Sequence, residues 1–332
     1  MTKRELVLES LNHKRSYKLP YHVGLTKDVE NRLIRELGED FIDKMGNYLF
    51  YMDNGSFTLL ENNRELDAFG VVWLKDQKGD FGVVDEYQLQ EPSLDNYTFP
   101  APSKDSIHKT CNTIMTKGKD HFRMFSIGFS LFERAWSLRR MENLLMDFIL
   151  EPAFVEELFE KIVDYNISVM DIAMEYPLDG IYFGDDWGQQ KGLIMGPDYW
   201  RKYIKPALAR MYGHAKKRGL YICQHSCGDI SDILPDLIQI GLDIYNTVQP
   251  EIYDLKNLKR EYGDSLTFFG GISTQTLLPF ATPEEVKRET RIIMDILGEN
   301  GGYIVAPTHA IPDDVSTKNI LALLEVVQAH SC

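Results

Sequence analysis

The sequence is short of several things, and each shortage removes a class of protein. Cysteine is scarce: 332 residues hold only Cys111, Cys223, Cys227 and Cys332. Four thiols so irregularly spaced build no disulfide framework in a chain of this size, and they fit a reducing compartment. Basic residues are outnumbered, 36 Lys and Arg against 50 Asp and Glu, for a net charge of −14. No basic stripe appears, so nucleic acid is not an expected partner. No apolar run is long enough to span a bilayer, so no membrane is expected either. The opening MTKRELVLESLNHKR has neither the apolar block nor the small-residue cleavage site of a signal peptide. A cytoplasmic protein is the expectation. There is no G-x-G-x-x-G after a strand, and FFGGIS at 268–273 lacks the Lys of a P-loop.

What the chain does have is alternation. From about residue 105, apolar strand-like runs alternate with amphipathic helical ones. The strands read as HFRMFSIG (121–128), LDGIYFGDD (178–186), LYICQHSCG (220–228), LDIYNTVQP (242–250), SLTFFGGI (265–272) and GYIVAPTHA (302–310). Between them lie helical stretches, one broken near Pro152, one containing Pro206, one opened by Thr282 with Glu285 three residues on, and a last one capped by Ser316. Such alternation means βαβ units and a parallel sheet. The fold expected is α/β, a (β/α)8 TIM barrel, with an open doubly wound sheet as runner-up. One domain, 1–332, is expected, with 1–105 an N-terminal elaboration and 106–332 the regular βα repeat. Within the elaboration, LPYHVGLT (19–26) reads as a strand between helices. Two Val-rich stretches around a Lys/Asp/Gly turn in 66–89 read as a β-hairpin.

In a barrel, chemistry gathers where strands end, at the C-terminal face. Four strand ends are polar: Asp185 and Asp186, His225 and Cys227, Asn246 and Gln249, and His309. Alternate residues on a strand share a face, so Tyr221, Cys223, His225 and Cys227 line one side. A His and a Cys at a strand end suit zinc. A lone H-x-C is also what an ordinary core produces, and Cys223 reads as barrel interior. A third ligand has to come from elsewhere. His309 is the first choice, with Asp185, Asp186 and Glu133 as alternatives. Two adjacent acids on an extended chain point opposite ways, so at most one of Asp185 and Asp186 faces the funnel. Trp187, beside them, reads as core or as the wall of an aromatic pocket. Asp186, Trp187, Asn246 and Gln249 are the substrate-binding candidates, and Asp185 and Glu133 the candidates to orient the substrate or supply a proton.

HSCGDISDILPDLIQIGLDIYNTVQPE (225–251), YFGDDWGQQKGLIMGPDYWRKYIKP (182–206), FFGGISTQTLLPFATPEEVKRET (268–290) and GGYIVAPTHAIPDDVSTKNI (301–320) resemble the uroporphyrinogen decarboxylase superfamily. The resemblance runs from Gly128 to the C-terminus, extends more loosely over the N-terminal third, and implies a barrel with an active-site funnel. True decarboxylases carry an N-terminal arginine motif for the substrate carboxylates. LPYHVGLTKDV, in the comparable place, has no such pair, and carboxylates without charge-assisted partners bind poorly. The other branch of the superfamily is similar in its H-x-C motif, matched by His225 and Cys227. It comprises cobalamin-linked methyltransferases, which hold zinc with that motif and a later ligand. Here APTHAIP puts His309 near the place of that branch's later cysteine. The resemblance thus implies a zinc- and corrinoid-dependent methyltransferase. It would take the methyl group of a methylated small molecule, a methoxylated aromatic being favoured, and zinc at His225, Cys227 and His309 would activate the leaving group. No D-x-H-x-x-G motif is present, so cobalamin would arrive on a separate corrinoid protein. A homodimer is allowed for. The rival readings are decarboxylation of a porphyrinogen-type acid and a non-catalytic metal- or ligand-binding barrel.

Overall fold

The computed structural model describes residues 1–14, 17–55, 57–75 and 82–329. Cys332 and the turn at 76–81 of the expected hairpin lie outside the described residues. The described strands are β1 (Leu49–Asp53), β2 (Phe57–Leu59), β3 (Arg64–Asp67), β4 (Val72–Leu74), β5 (Val83–Glu86), β6 (Phe122–Ile127), β7 (Gly180–Gly184), β8 (Tyr221–His225), β9 (Ile244–Val248), β10 (Thr267–Ile272) and β11 (Tyr303–Pro307). Seven of them form a parallel sheet in the order β1-β6-β7-β8-β9-β10-β11. Their inward and outward faces are both covered, which is why β6 to β11 read as nearly unbroken apolar runs.

The run LPYHVGLT closes this sheet into a barrel. Tyr21 bridges Val305 and Leu25 bridges Ile311, both in parallel. On the other side, the Tyr48 N–H donates to the Tyr21 carbonyl at 2.9 Å. The Asn47 amide pairs with Val23 in both directions, at 2.8 and 3.1 Å. The eighth stave is therefore the segment between β11 and β1, and the fold is the expected TIM barrel. Two staves, this segment and β1, lie ahead of residue 105, so residues 1–105 contribute to the barrel wall as well as elaborating it. β1 is not among the strands expected from the sequence.

The hairpin is real and larger than expected. β4 and β5 pair antiparallel as read, and β2 and β3 extend them to a four-stranded sheet, β2-β3-β4-β5. Phe57, Asp67, Glu65 and Trp73 are cross-strand neighbours and so share one face. Three of them, Phe57, Asp67 and Trp73, line the same cavity as the C-terminal ends of β1, β6 and β7, so the small sheet overhangs that end of the barrel.

Helix boundaries follow local chemistry. Thr282 and Glu285 form a complete capping box. Ser316 Oγ accepts the Asn319 N–H at 3.3 Å. The Leu131–Tyr176 stretch breaks before Pro152 and also at Arg140, whose φ is 77°. Pro206 lacks an N–H, and the turn ahead of it, Trp200–Ile204, widens to a π turn. Among the described residues, no helix is long and apolar enough to cross a membrane.

Candidate metal centre

Three donor side chains meet just past the ends of β7 and β8. Asp186, His225 and Cys227 offer one ligand atom each, all within 4.8 Å of one another. His225 Nε2 lies 3.5 Å from Cys227 Sγ and 3.5 Å from Asp186 Oδ1. Zinc bonds of about 2.0–2.3 Å in tetrahedral geometry space their donors by roughly 3.3–3.8 Å. The two spacings and the carboxylate–imidazole–thiolate chemistry both fit that ion.

The loops that carry these groups are clamped to each other. A Cβ on Gly188 would come within 2.5 Å of the Gly228 carbonyl carbon, and one on Gly228 within 2.3 Å of that of Gly188. Only glycine allows this backbone-to-backbone approach, and Gly228 also sits at φ 79°. The Gly188 N–H donates to the Cys227 carbonyl at 3.2 Å, and the Asp229 N–H to that of Gln189 at 2.7 Å. The Cys227 N–H donates to Asp186 Oδ1 at 2.8 Å.

Asp185 and Asp186 diverge, as adjacent residues on an extended chain must. Asp186 lines the cavity. Asp185 is fully buried and points the other way, accepting the N–H groups of Phe132 and Glu133 at 2.9 and 2.7 Å and the Trp187 indole N–H at 2.7 Å. It caps the start of helix Phe132–Arg139. Burial pushes its carboxyl up and these donors pull it down. Trp187 is fully buried too, 5.5 Å ring to ring from Trp200, and lines neither cavity described below. Asp185 and Trp187 thus support the site from behind.

Asn246, read as a substrate contact, holds His225. Its Nδ2 donates to the Phe269 carbonyl at 2.9 Å, which fixes Oδ1 as the acceptor. The Tyr182 hydroxyl donates to that oxygen at 2.8 Å, and His225 Nδ1 lies 2.6 Å from it. His225 therefore carries a proton on Nδ1 and turns Nε2 toward Asp186 and Cys227. Gln249 is buried as well, its Oε1 accepting the Gly228 N–H at 2.7 Å, so it shapes the loop that carries Cys227.

His309 stands outside the three-donor group. Its ring is 5.9 Å from that of His225, edge to face. It follows β11 by two residues, in a loop that lines a cavity of about 790 Å³ and a smaller one of about 160 Å³. Burial lowers its pKa, His225 adds to this, and Asp186 opposes it. The acid that takes the near position is Asp186, one of the alternatives to His309.

The larger cavity is walled by Phe69, Trp73, Phe129, Trp136, Tyr165 and Tyr182, with Asp186, His225 and Glu133 among its polar groups. Burial raises the Glu133 carboxyl well above its usual range, and the charges of Asp185 and Asp186 add to this. Burial and Asp186 likewise raise the Cys227 thiol. A bound divalent cation reverses that balance and favours thiolate. Cys223 is fully buried inside the barrel, as read. Asp53 also lines the larger cavity and escaped the reading. It ends an apolar strand just as Asp186 and His225 nearly do, but β1 itself was not recognised.

Compared with known proteins, the chain matches a family model described as Uroporphyrinogen decarboxylase (URO-D) over residues 64–330. A methylated-thiol–coenzyme M methyltransferase of Methanosarcina mazei is 21% identical over 160 residues, 48% of this chain and 41% of that protein. A uroporphyrinogen decarboxylase of Methylococcus capsulatus is 21% identical over 183 residues, 54% of this chain and 50% of that protein. The chain thus spans about half the length of the curated relatives it matches. Among solved structures, a methyltransferase from Methanosarcina mazei superposes with a TM-score of 0.76 at 17% identity, covering 99% of this chain and 98% of the other. At that identity the likeness speaks to the fold.

Proposed function

Because the chain belongs to the uroporphyrinogen decarboxylase family, we propose that it is a methyltransferase of that fold. It moves a methyl group from a methylated small molecule, favoured as a methoxylated aromatic, to cobalamin carried by a separate corrinoid protein. The observation that carries this reading is the convergence of Asp186, His225 and Cys227 under an aromatic-walled cavity. A family decarboxylase needs several cations for its substrate carboxylates. Among the described residues lining this cavity, Arg134 is the one arginine and there is no lysine.

Asp186, His225 and Cys227 would hold zinc, with the cavity side open and His309 facing it. The chemistry zinc supplies in such a site is Lewis-acid polarisation of the heteroatom that gives up the methyl group. A carboxylate in place of a second thiolate keeps the ligand charge and exchanges a soft donor for a hard one, which favours an oxygen leaving group over sulfur. Asn246 orients His225 through Nδ1, and the Gly188–Gly228 clamp fixes Asp186 against Cys227. Tyr182 and the aromatic wall exclude water from the donor. Glu133, in the same cavity, would give a proton from its carboxyl to the departing oxygen.

The test is to mix the zinc-loaded chain with free cob(I)alamin and a methoxylated benzoate and to follow the Co(I) absorbance. Chain-dependent loss of Co(I), with release of the demethylated phenol and failure of the His225→Ala and Cys227→Ala variants, is expected. Full transfer by both variants, or turnover of uroporphyrinogen without metal or corrinoid, overturns the reading.

A further inference from the structure

One cation in the larger cavity has donors to spare. Arg134 lies on helix Phe132–Arg139, and its side chain is 12% exposed. Its Nη1 is committed to Asp67 Oδ2 at 2.5 Å and approaches Ser137 Oγ at 3.4 Å. Its Nε and Nη2 have no hydrogen-bond partner among the described residues. A guanidinium so enclosed ordinarily uses its whole fork. Asp67 does not depend on Arg134 alone: Oδ1 accepts the N–H groups of Phe69 and Val71 at 2.9 and 3.0 Å, and Oδ2 accepts the Trp73 indole N–H at 3.2 Å. Asp67 thus has three other donors, and the Nε and Nη2 groups of Arg134 remain free to donate.

Aromatic rings surround this cation. Its Cζ sits 4.2 Å from the Phe69 ring centroid and 5.7 Å from that of Phe129. Phe129 is 5.2 Å from Trp73 and 6.1 Å from Trp136, ring to ring. Phe129 also has φ 50°, unfavourable for a bulky side chain. Flanking hydrogen bonds hold it there: the Gly128 N–H donates to Asp53 Oδ2 at 2.6 Å, and the Ser130 N–H to the Gly184 carbonyl at 2.8 Å. Backbone strain of this kind is kept where the side chain's position matters. Of the other carboxylates near Arg134, Asp53 is occupied at both oxygens, by the Gly55 and Gly128 N–H groups, and burial raises the Glu133 carboxyl well above its usual range.

We propose that Arg134 receives the carboxylate of an aromatic methyl donor while the contiguous cluster of Phe129, Trp73 and Trp136 walls one side of its ring, so that the substrates are methoxylated aryl carboxylates. This rests on the methyltransferase reading for the word donor, but the binding preference stands by itself.

Trp73 and Trp136 line the cavity, so intrinsic fluorescence reads binding without turnover. The metal-free chain is titrated with 4-methoxybenzoate and with 4-methoxybenzamide, so that no metal can hold the carboxylate. The acid is expected to bind roughly tenfold to hundredfold more tightly, the range of one charge-assisted interaction. Arg134→Gln should erase the difference and Arg134→Lys keep part of it. If Arg134→Gln does not fold, the comparison on the unaltered chain and Arg134→Lys decide the matter. Equal binding of acid and amide, or a preference unchanged in the Arg134 variants, overturns the proposal. An acid preference without methyl transfer sinks the methyltransferase reading and leaves this site standing. Transfer from an uncharged methoxyarene as good as from the acid does the reverse.

Discussion

His225 Nδ1 lies 2.6 Å from Asn246 Oδ1, and the Asn246 amide is turned so that this oxygen can only accept. One strand thereby sets the tautomer of a histidine on its neighbour. Partners of this kind are typically worth tenfold to a hundredfold in metal affinity. Asn246→Ala should weaken zinc binding by roughly that factor, while Asn246→Asp, which retains an acceptor, should lose less. Competition with a chromophoric chelator measures both. An Asn246→Ala variant with unchanged affinity would mean that Nε2 is not a ligand.

Asp186 and His309 are separated by one experiment. Asp186 lies within the three-donor group, and His309 is 5.9 Å from His225, ring to ring. Asp186→Ala should therefore lose zinc on dialysis along with His225→Ala and Cys227→Ala, whereas His309→Ala should keep it and lose activity. Elemental analysis after gel filtration gives the answer, and zinc lost from His309→Ala but retained by Asp186→Ala would exchange their roles.

Asp185 is the acid whose removal should damage the fold before the chemistry. It satisfies two backbone N–H groups and an indole N–H with no solvent to replace it. Unsatisfied buried donors cost about 1–3 kcal/mol each, with partial relaxation, so Asp185→Ala should lose about 2–4 kcal/mol in urea unfolding. Asp185→Asn, which keeps an acceptor oxygen, should be milder. A stable Asp185→Ala protein lacking all activity would instead return this acid to the reaction.

These cases show what the chain discloses in one dimension. β6 to β11 were legible because strands buried on both faces are written as continuous Val, Ile, Phe and Tyr runs. β1, in NYLFYMD, mixes Tyr and Met and stands between a helix and the small sheet, so neither period nor turn chemistry announced it. Asp186, His225 and Cys227 were legible because polar residues ending apolar strands are conspicuous. That Asn246 serves His225 was not, since it depends on the β8–β9 register that sets the two opposite each other. The offset of His309 depends on the path taken after Pro307, which no periodicity records.

The fold should also carry a histidine signature in its acid stability. His22 lies on the closing stave, lines the smaller cavity and packs at a tilt 5.0 Å from the Tyr51 ring, and its Nδ1 is buried without a partner among the described residues. Burial lowers its pKa to about 4, with the Leu49 backbone opposing the effect and nearby His121 adding to it. The unfolded chain binds this proton near pH 6.5, so between pH 6.5 and 4 the unfolded state holds more protons than the folded one. Stability should fall as pH drops through that window and level off below it, by up to about 3 kcal/mol. In His22→Gln this part of the slope should vanish. Urea midpoints at pH 7, 5.5 and 4.5 compare the two proteins, and identical slopes would mean that His22 is protonated in the fold.

Gly188 offers the sharpest link from backbone to metal. It carries no chemistry, yet it lies two residues from Asp186 and against Gly228, the neighbour of Cys227. In Gly188→Ala the new methyl would sit 2.5 Å from the Gly228 carbonyl carbon and 2.6 Å from the Cys227 oxygen, so the two loops must part. Parting them stretches the 3.2 Å bond from the Gly188 N–H to that oxygen and moves Asp186 off the Cys227 N–H. Overpacking of this kind costs about 1–3 kcal/mol, small enough for a large barrel to stay folded. Zinc affinity should fall by roughly tenfold or more, because donors must be held within a few tenths of an ångström. Gly192→Ala is the control: no heavy atom lies within 4 Å of its added Cβ, although its φ of 82° makes the substitution strained. Gly188→Ala should lose zinc affinity and Gly192→Ala should not, even if both lose similar stability. Equal metal affinity in the two variants would show that the clamp between the loops does not set the site.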